Sequence, residues 1–188
     1  MNIWVPQSAK AGKYKGTLTV TGKNTSPMEL QIEVDVLNRT LPAPKDWAFH
    51  LDLWQNPYSV ARYYQVPLWS KEHFDAMRPI MKMLANAGQR AITTSIMHKP
   101  WAGQTEDHFD SMITRIKKID GTWAYDYAVF DKWVEFMMNE IGINDMISCY
   151  TMIPWALSFD YYDEATNRVQ FLNTKRVTPL TQTIGVLS

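Results

Sequence analysis

The sequence predicts an α/β fold: part of a (β/α)8 TIM-type barrel with about three strands, preceded by a β-hairpin from a β-sandwich domain. Three strand-like runs, residues 47–49, 91–97 and 146–152, each end in aromatic and hydrogen-bonding residues. Helical patterns lie between these runs, and such a strand–helix–strand order is typical of parallel sheets. A complete barrel takes roughly 250 residues. The chain has 188 residues, so we expect it to hold only part of one.

Residues 13–37 have the alternation of polar and apolar side chains that predicts a β-hairpin. Two strands alone do not enclose a core. We therefore expect residues 1–40 to be the C-terminal part of a β-sandwich domain whose earlier strands precede Met1. The proline-rich residues 41–46 are predicted to be a stiff linker to a barrel segment that spans residues 47–175.

Two amphipathic helices are predicted in that barrel segment. In the first, residues 71–87, apolar side chains recur on one face, Ser70 is a suitable N-cap and Gly88 stands where a left-handed C-cap is expected. The second, residues 128–141, has an apolar face of the same kind and ends at Gly142.

Two further hairpins are predicted within the same segment. Residues 112–117 and 122–125 flank the turn signal Asp120-Gly121. Residues 159–162 and 168–172 flank a second polar turn. The first hairpin is an insertion between two barrel strands.

The composition argues against several classes of protein. With 19 basic and 19 acidic residues, the chain has no net charge to attract nucleic acid or an anionic membrane. No apolar run approaches the roughly 18 residues that a membrane span needs. Separately, we expect no cofactor. The N-terminus lacks the pattern of a signal peptide, so either the protein is cytoplasmic or its true start lies upstream. The single cysteine, Cys149, is expected to be a small buried hydrophobe.

The ends of the three predicted strands carry the chemistry of a sugar site. Histidine, aspartate, tryptophan, tyrosine and carboxamide side chains follow the strands, and aromatic residues make up 13% of the chain. Flat rings stack on the C–H face of a pyranose, while carboxylates and amides bond its hydroxyl groups. An alternative stays open, in which most of these rings pack between the helices and the sheet.

Several longer motifs follow the same strand ends and neighbouring helices. They are His50 to Pro57, Ala61-Arg62-Tyr63-Tyr64, Leu68-Trp69-Ser70 with His73-Phe74, His98-Lys99-Pro100-Trp101 with Gln104-Thr105, Gly121-Thr122-Trp123 with Phe130-Asp131, and Cys149-Tyr150 with Pro154-Trp155. Together they resemble the catalytic domain of glycoside hydrolase family 123. The resemblance covers residue 4 to about residue 175, and its first part, Ala11 to Thr17, looks like the end of the β-sandwich that precedes that domain.

The resemblance implies a (β/α)8 barrel in an exported bacterial enzyme, periplasmic or at the cell surface, that acts on β-linked N-acetylgalactosamine of glycans. It also implies a substrate-assisted mechanism, which is an exception to the scheme with two protein carboxylates. The acetamido oxygen of the sugar attacks the anomeric carbon, an Asp orients it, and an adjacent Glu protonates the leaving oxygen.

Seven residues at strand ends inside these motifs are assigned substrate-lining roles: His50, Asp52, Trp54, His98, Trp101, Tyr150 and Trp155. For His50 and Asp52 the alternative is a buried structural pair. No metal site is expected from His50, Asp52 and His98, because they lie on separate strands without a characteristic spacing. No catalytic residue is assigned either. The adjacent pair Asp163-Glu164 is expected to be a polar turn, and the family's Asp-Glu pair would follow residue 188.

The sequence thus predicts a fragment of a glycoside hydrolase that is inactive alone. Two alternatives stay open. One is a carbohydrate-binding module that uses the same seven substrate-lining residues, here called the aromatic wall, without hydrolysis. The other is a structural remnant. Residues 176–188 carry no charge after Arg176. We expect them to be an atypical tail and a possible frameshift product, which the nucleotide sequence around Lys175 would decide.

Overall fold

The computed structural model describes residues 2–100, 104–107, 110–150 and 158–173. The chain divides into two compact units, Met1–Ala43 and Pro44–Ser188. The division falls inside the stretch predicted to be a linker, residues 41–46. The assignment of the first unit to a β-sandwich stays a prediction.

The first unit contains the predicted hairpin, formed by strands β1 (Gly12–Gly22) and β2 (Thr25–Val36). The strands are antiparallel, and the register places Leu18 opposite Leu30 and Lys15 opposite Glu33. Because neighbouring side chains point to opposite faces of a strand, the hairpin has one apolar and one charged face. The Lys15 ammonium lies 3.6 Å from the Glu33 carboxylate on the charged face.

The described part of the second unit contains three α-helices and six strands. The helices are α1 (Pro57–Tyr64), α2 (Lys71–Asn86) and α3 (Ala128–Glu135). The strands are β3 (Ala91–Ser95), β4 (Thr114–Lys117), β5 (Trp123–Asp126), β6 (Met146–Tyr150), β7 (Ser158–Asp163) and β8 (Arg168–Asn173). The predicted α/β class is confirmed.

β3 and β6 form a parallel pair, with Ala91 opposite Met146 and Ser95 opposite Tyr150. The strand predicted at residues 47–49 is absent. A 3-10 turn at Pro44–Asp46 leads instead into an irregular stretch with one parallel bridge, between Leu51 and Gln89. The described strands therefore form no closed barrel. Of the three strands predicted for the barrel, two form a regular parallel pair and the third is an irregular segment.

α2 ends where its sequence signals predict. The Ser70 hydroxyl accepts a hydrogen bond from the His73 amide at 3.2 Å, which caps the first turn. Gly88, with φ of +90°, follows the last turn. A Cβ atom there would lie 3.1 Å from the Trp47 ring, so both the backbone conformation and the close approach favour glycine.

The helix predicted at residues 128–141 is divided. α3 continues into a π-helical segment, Phe136–Ile141, and the chain leaves it at Gly142 in a left-handed conformation. The apolar face of the helix packs into the core, where Trp133 and Met137 are fully buried. Their neighbours there include Met77 of α2 and Ile92 of β3.

The two predicted hairpins, β4–β5 and β7–β8, are confirmed, and they join into one four-stranded sheet of order β5-β4-β7-β8. The junction is a parallel pairing of β4 with β7, with Lys117 opposite Asp163. Buried Arg115 of β4 connects this sheet to the end of β3, since its guanidinium donates to the Ile96 carbonyl and lies 5.2 Å above the Phe159 ring.

Candidate functional site

An aromatic pair includes the last residue of β6. The Trp54 and Tyr150 rings meet edge to face, with centroids 5.5 Å apart and an interplanar angle of 74°. Trp54 comes from the irregular stretch and is 61% exposed, whereas Tyr150 is the last residue of β6 and is partly buried. An exposed ring held by a second ring is a suitable surface for stacking on an apolar ligand face.

Asp52 provides a carboxylate beside this pair. Burial raises the pKa of the Tyr150 phenol above its usual value, and the charge of Asp52 raises it further. The Tyr150 hydroxyl therefore stays protonated at neutral pH and can donate a hydrogen bond. Asp52 is exposed and can accept hydrogen bonds. His50 is also exposed, which contradicts the alternative of a buried structural pair with Asp52.

His98 lies in different surroundings. Its side chain is 13% exposed, its Nδ1 atom lies 3.6 Å from an Asp110 carboxylate oxygen, and its ring centroid is 5.5 Å from that of Phe171 in β8. These contacts hold His98 at the four-stranded sheet. Trp101 and Trp155, the remaining predicted substrate-lining residues, lie outside the described residues.

A buried polar layer that the sequence did not predict lies below the aromatic pair. It contains the carboxamides of Gln55 and Gln89 and the hydroxyl of Thr93, and all three residues are at most 5% exposed. Near the end of β3, the Tyr58 hydroxyl donates to the Asp110 carbonyl at 2.6 Å, and burial raises the pKa of this phenol far above its usual value. The only sequence signal is the presence of carboxamides beside Trp54, which does not indicate burial.

Cys149 is exposed and precedes Tyr150, so the expectation of a buried cysteine is wrong. It lies on β6, whose far edge has no neighbouring strand among the described residues. Those residues also contain no group of three or more His, Cys, Asp and Glu side chains placed to hold a metal ion.

The pair Asp163-Glu164 occupies a turn, as expected. Asp163 ends β7 and accepts a hydrogen bond from the Ala165 amide at 3.1 Å. The Glu164 carboxylate accepts one from the Lys118 ammonium at 2.9 Å. Asp163 therefore makes a contact within the turn, and Glu164 pairs with a lysine that follows β4.

Comparison with known structures identifies a solved structure that is similar to this chain. A structure from a study of glycolipid glycan hydrolysis by a family 123 glycoside hydrolase from Clostridium perfringens matches 93% of this chain with a TM-score of 0.85 and 33% sequence identity. The family model described as glycoside hydrolase 123, catalytic domain, matches residues 54–184. This chain belongs to glycoside hydrolase family 123.

The family 123 chain spans 32% of the length of the Clostridium structure that it matches. The family match begins at Trp54, one of the two rings of the edge-to-face pair, and extends into the stretch predicted to be an atypical tail. A comparison with curated proteins gave no significant match. No helix in the described part is long and apolar enough to cross a membrane.

Proposed function

We propose that this chain is the N-terminal part of the catalytic domain of a glycosidase that cleaves β-linked N-acetylgalactosamine from glycans, including those of glycolipids. The family match over residues 54–184 is the observation that supports this assignment most strongly. The similarity to a structure studied for glycolipid glycan hydrolysis supports the substrate class. We also propose that the enzyme is bacterial and acts in the periplasm or at the cell surface.

In this proposal, residues 51–55, β3 and β6 form part of the wall of a (β/α)8 barrel. The parallel pairing of β3 with β6, with α3 in the connection between them, supports a barrel origin. Catalytic residues of such barrels lie at the C-terminal ends of the strands. Tyr150 lies at such an end and Trp54 contacts it, and we assign both to the sugar-binding wall.

The reaction divides between the sugar and the protein. The acetamido oxygen of the substrate attacks the anomeric carbon with inversion and displaces the leaving oxygen, while an Asp orients the acetamido group and a Glu protonates the leaving oxygen. Water then attacks the same carbon with a second inversion and opens the cyclic intermediate, so the configuration is retained overall. Neither carboxyl group is assigned to this chain. Here Trp54 stacks on the sugar, Asp52 accepts hydrogen bonds from its hydroxyl groups, and the protonated Tyr150 phenol donates one. His50, His98, Trp101 and Trp155 keep the substrate-lining roles that the family motifs imply.

The test is chromophore release from an aryl β-N-acetylgalactosaminide. Because general acid catalysis contributes on the order of 10² to 10⁴ in rate, we expect no release by the 188-residue chain. A longer protein that includes the downstream part of the catalytic domain should release the chromophore. Failure of the longer, folded protein to cleave this substrate would contradict the proposed substrate.

Trp54→Ala in the longer protein isolates the role of the stacked ring. We expect KM to rise by about threefold to tenfold, since aromatic contacts of this kind contribute modestly to binding, with kcat changed less. Trp4→Ala is the matched control, because Trp4 is 91% exposed and lies in the first unit. Equal effects of the two substitutions would remove Trp54 from the site.

The alternative of a carbohydrate-binding module is favoured by the exposure of the Trp54–Tyr150 pair and has its own readout. Titration of the 188-residue chain with N-acetylgalactosamine should then give saturable binding without hydrolysis. Saturable binding by this chain, together with an inactive longer protein, would replace the glycosidase proposal by a binding module.

A further inference from the structure

Among the residues that the structure describes, only one edge of β3 is paired with another strand. β6 lies along the edge at which the Met146 amide donates to the Arg90 carbonyl, 3.2 Å away. Since backbone groups alternate in direction along a strand, the N–H and C=O groups of Ala91 and Thr93 point to the opposite edge. Residues 51–55 run along that edge, where side chains take part in satisfying these backbone groups.

Gln55 bonds two of these β3 backbone groups with its side chain, the Thr93 amide and the Ala91 carbonyl. Its Oε1 atom accepts a hydrogen bond from the Thr93 amide at 2.7 Å, and its Nε2 atom donates to the Ala91 carbonyl at 3.3 Å and to the Leu53 carbonyl. The backbone amide of Gln55 donates to the Thr93 hydroxyl at 3.3 Å. The carboxamide thus takes the place that a neighbouring peptide group has in a regular sheet.

Gln89 does the same one step earlier along the edge. Its Oε1 atom accepts from the Leu53 amide at 2.8 Å, and its Nε2 atom donates to the carbonyls of Leu53 at 3.1 Å and Ala91 at 2.7 Å. The two side chains come from opposite sides of the gap, since Gln55 belongs to the irregular stretch and Gln89 precedes β3. Together they connect the two segments through side-chain amides.

Trp54 lies between the two backbone positions that these side chains hold, Leu53 and Gln55. Its ring nevertheless contacts Tyr150, which belongs to the strand on the other edge of β3. The Trp54 ring therefore reaches a residue of the strand on the far side of β3. This geometry depends on the position of residues 53–55, which the two carboxamides and the Thr93 hydroxyl define at that edge.

We infer that Gln55 and Gln89 are positioning residues for the aromatic wall: their interleaved carboxamides hold residues 53–55 against β3 and set Trp54 in contact with Tyr150. This inference rests on the proposed function only where it concerns glycan binding. Its structural part concerns the ring contact alone, and the two parts have separate readouts.

The structural readout is the Trp54–Tyr150 contact in the 188-residue chain. With 5-fluorotryptophan incorporated, the ¹⁹F resonance that is lost in Trp54→Phe belongs to Trp54. Gln55→Leu should shift and broaden that resonance, because Leu has nearly the size of Gln but makes none of its hydrogen bonds. Gln31→Leu is the matched control, since Gln31 lies on the exposed polar face of the hairpin and its side chain donates to the Thr17 hydroxyl at 3.2 Å. An unchanged Trp54 resonance in folded Gln55→Leu would overturn the inference.

Gln55→Glu provides a rescue within a single variant. The carboxylate keeps an acceptor for the Thr93 amide but places a second oxygen against the Ala91 and Leu53 carbonyls, which lose their donor. At neutral pH the Trp54 resonance should shift as in Gln55→Leu, and acidification should restore it because a protonated carboxyl regains a donor. A spectrum that never differs from the wild-type spectrum contradicts the inference.

Thr93→Val keeps the inference falsifiable if both Gln55 variants fail to fold. It removes only the hydroxyl that accepts from the Gln55 amide, at almost constant shape. We expect a smaller shift of the same Trp54 resonance. No shift in this variant, together with full retention of the folded state, counts against the inference.

The functional readout uses the longer protein. Loss of wall geometry should raise KM for the aryl N-acetylgalactosaminide by about threefold to tenfold with kcat nearly unchanged, the pattern of lost uniform binding. A purely structural loss would instead lower the active fraction, and thus kcat, without changing KM. A shifted Trp54 resonance with unchanged KM would confirm the positioning contact and contradict the assignment of Trp54 to the sugar site.

Discussion

β3 and β6 are neighbouring strands of one parallel pair, with Ile92 opposite Ile147, yet their side chains meet different surroundings. All five residues of β3 are buried, whereas most of β6 is exposed. The buried strand is the more polar one, because Thr93, Thr94 and Ser95 form its second half. Burial here follows from position in the fold and not from hydropathy.

Hydrogen bonds explain how a polar strand can be buried. The Thr94 hydroxyl donates to the Ser148 carbonyl at 3.1 Å, and the Ser95 hydroxyl donates to the Asp110 carbonyl at 2.9 Å. The Thr93 carbonyl accepts from the Trp133 indole at 3.0 Å. Each of these polar groups thus has a partner, which removes the main cost of its burial. β6 has exposed apolar side chains instead, including Met146 and Ile147.

The largest expected loss of stability comes from truncating Trp133, whose indole donates to the Thr93 carbonyl of β3. Trp133→Ala should lower the free energy of unfolding by about 3–5 kcal/mol, because it empties a fully buried volume and leaves the Thr93 carbonyl without its donor. Urea denaturation of the chain measures this loss. Trp54→Ala, which truncates the exposed ring beside β6, should cost less than about 1 kcal/mol. Similar losses in the two variants would mean that the two strands are equally packed.

The opposed isoleucines test the contrast within one register pair. Ile92 is fully buried, and Ile147 is 43% exposed. Ile92→Ala should destabilise the chain by about 2–4 kcal/mol, and Ile147→Ala by less than about 1 kcal/mol. Thermal and urea unfolding of both variants measure the difference. A larger loss for Ile147→Ala would show that β6 is covered in solution.

The free energy of unfolding should also depend on pH, because His73 is buried. Its Nδ1 atom accepts from the Trp69 amide at 3.0 Å, and its Nε2 atom lies 2.8 Å from the Pro57 carbonyl. Burial lowers the pKa of His73 in the folded state, although the Pro57 carbonyl opposes this shift. The unfolded chain therefore binds the proton more readily. The stabilisation by neutral His73 is complete above its unfolded pKa of about 6.5 and falls as the pH drops below it.

Unfolding free energies measured between pH 7 and 5.5 test this expectation. His73→Asn, in which the side-chain oxygen can accept from the Trp69 amide at any of these pH values, should lose less stability over that interval than the wild type. Identical pH dependences of the two proteins would show that His73 is not responsible.

The smallest expected effect on stability concerns Cys149, which lies opposite Thr94 in the same pair. Because Cys149 is exposed, a maleimide reagent should label it in the native chain at nearly the rate seen in urea. Labelling should leave the unfolding midpoint nearly unchanged. Strong protection of Cys149 without urea would indicate that β6 is covered by another part of the chain or by a second copy.

A substitution in the β7–β8 turn separates turn residues from the catalytic site. Asp163→Asn with Glu164→Gln in the longer protein should leave turnover within about threefold, because both residues serve the turn. Loss of a general acid would instead lower turnover by a factor on the order of 10² to 10⁴. Turnover of the aryl N-acetylgalactosaminide measures the effect. A loss of several orders of magnitude in a folded variant would identify this pair as the catalytic carboxylates.

The sequence predicts those elements whose signals are local. Periodicity and turn residues indicate the positions of the three hairpins, and Ser70 and Gly88 mark the ends of α2. The family motifs are sufficient by themselves to indicate a glycoside hydrolase. In each case the information lies within short windows of the chain.

The predictions that failed concern contacts between distant residues. No strand forms at residues 47–49, and along residues 53–55 the side chains of Gln55 and Gln89 supply bonds where a regular strand would use its backbone. The burial of β3 and the exposure of Cys149 depend on which segments cover the two strands. Neither is encoded in the hydropathy of the strands themselves.

The parallel junction of β4 with β7 determines the order in which the molecule can assemble. Each hairpin closes over a short loop and can form within microseconds. The junction instead joins Lys117 to Asp163 across α3 and β6, so closing it carries the entropic cost of a long loop. During synthesis, the β4–β5 hairpin can therefore form early, whereas the four-stranded sheet cannot be completed until β7 and β8 have left the ribosome.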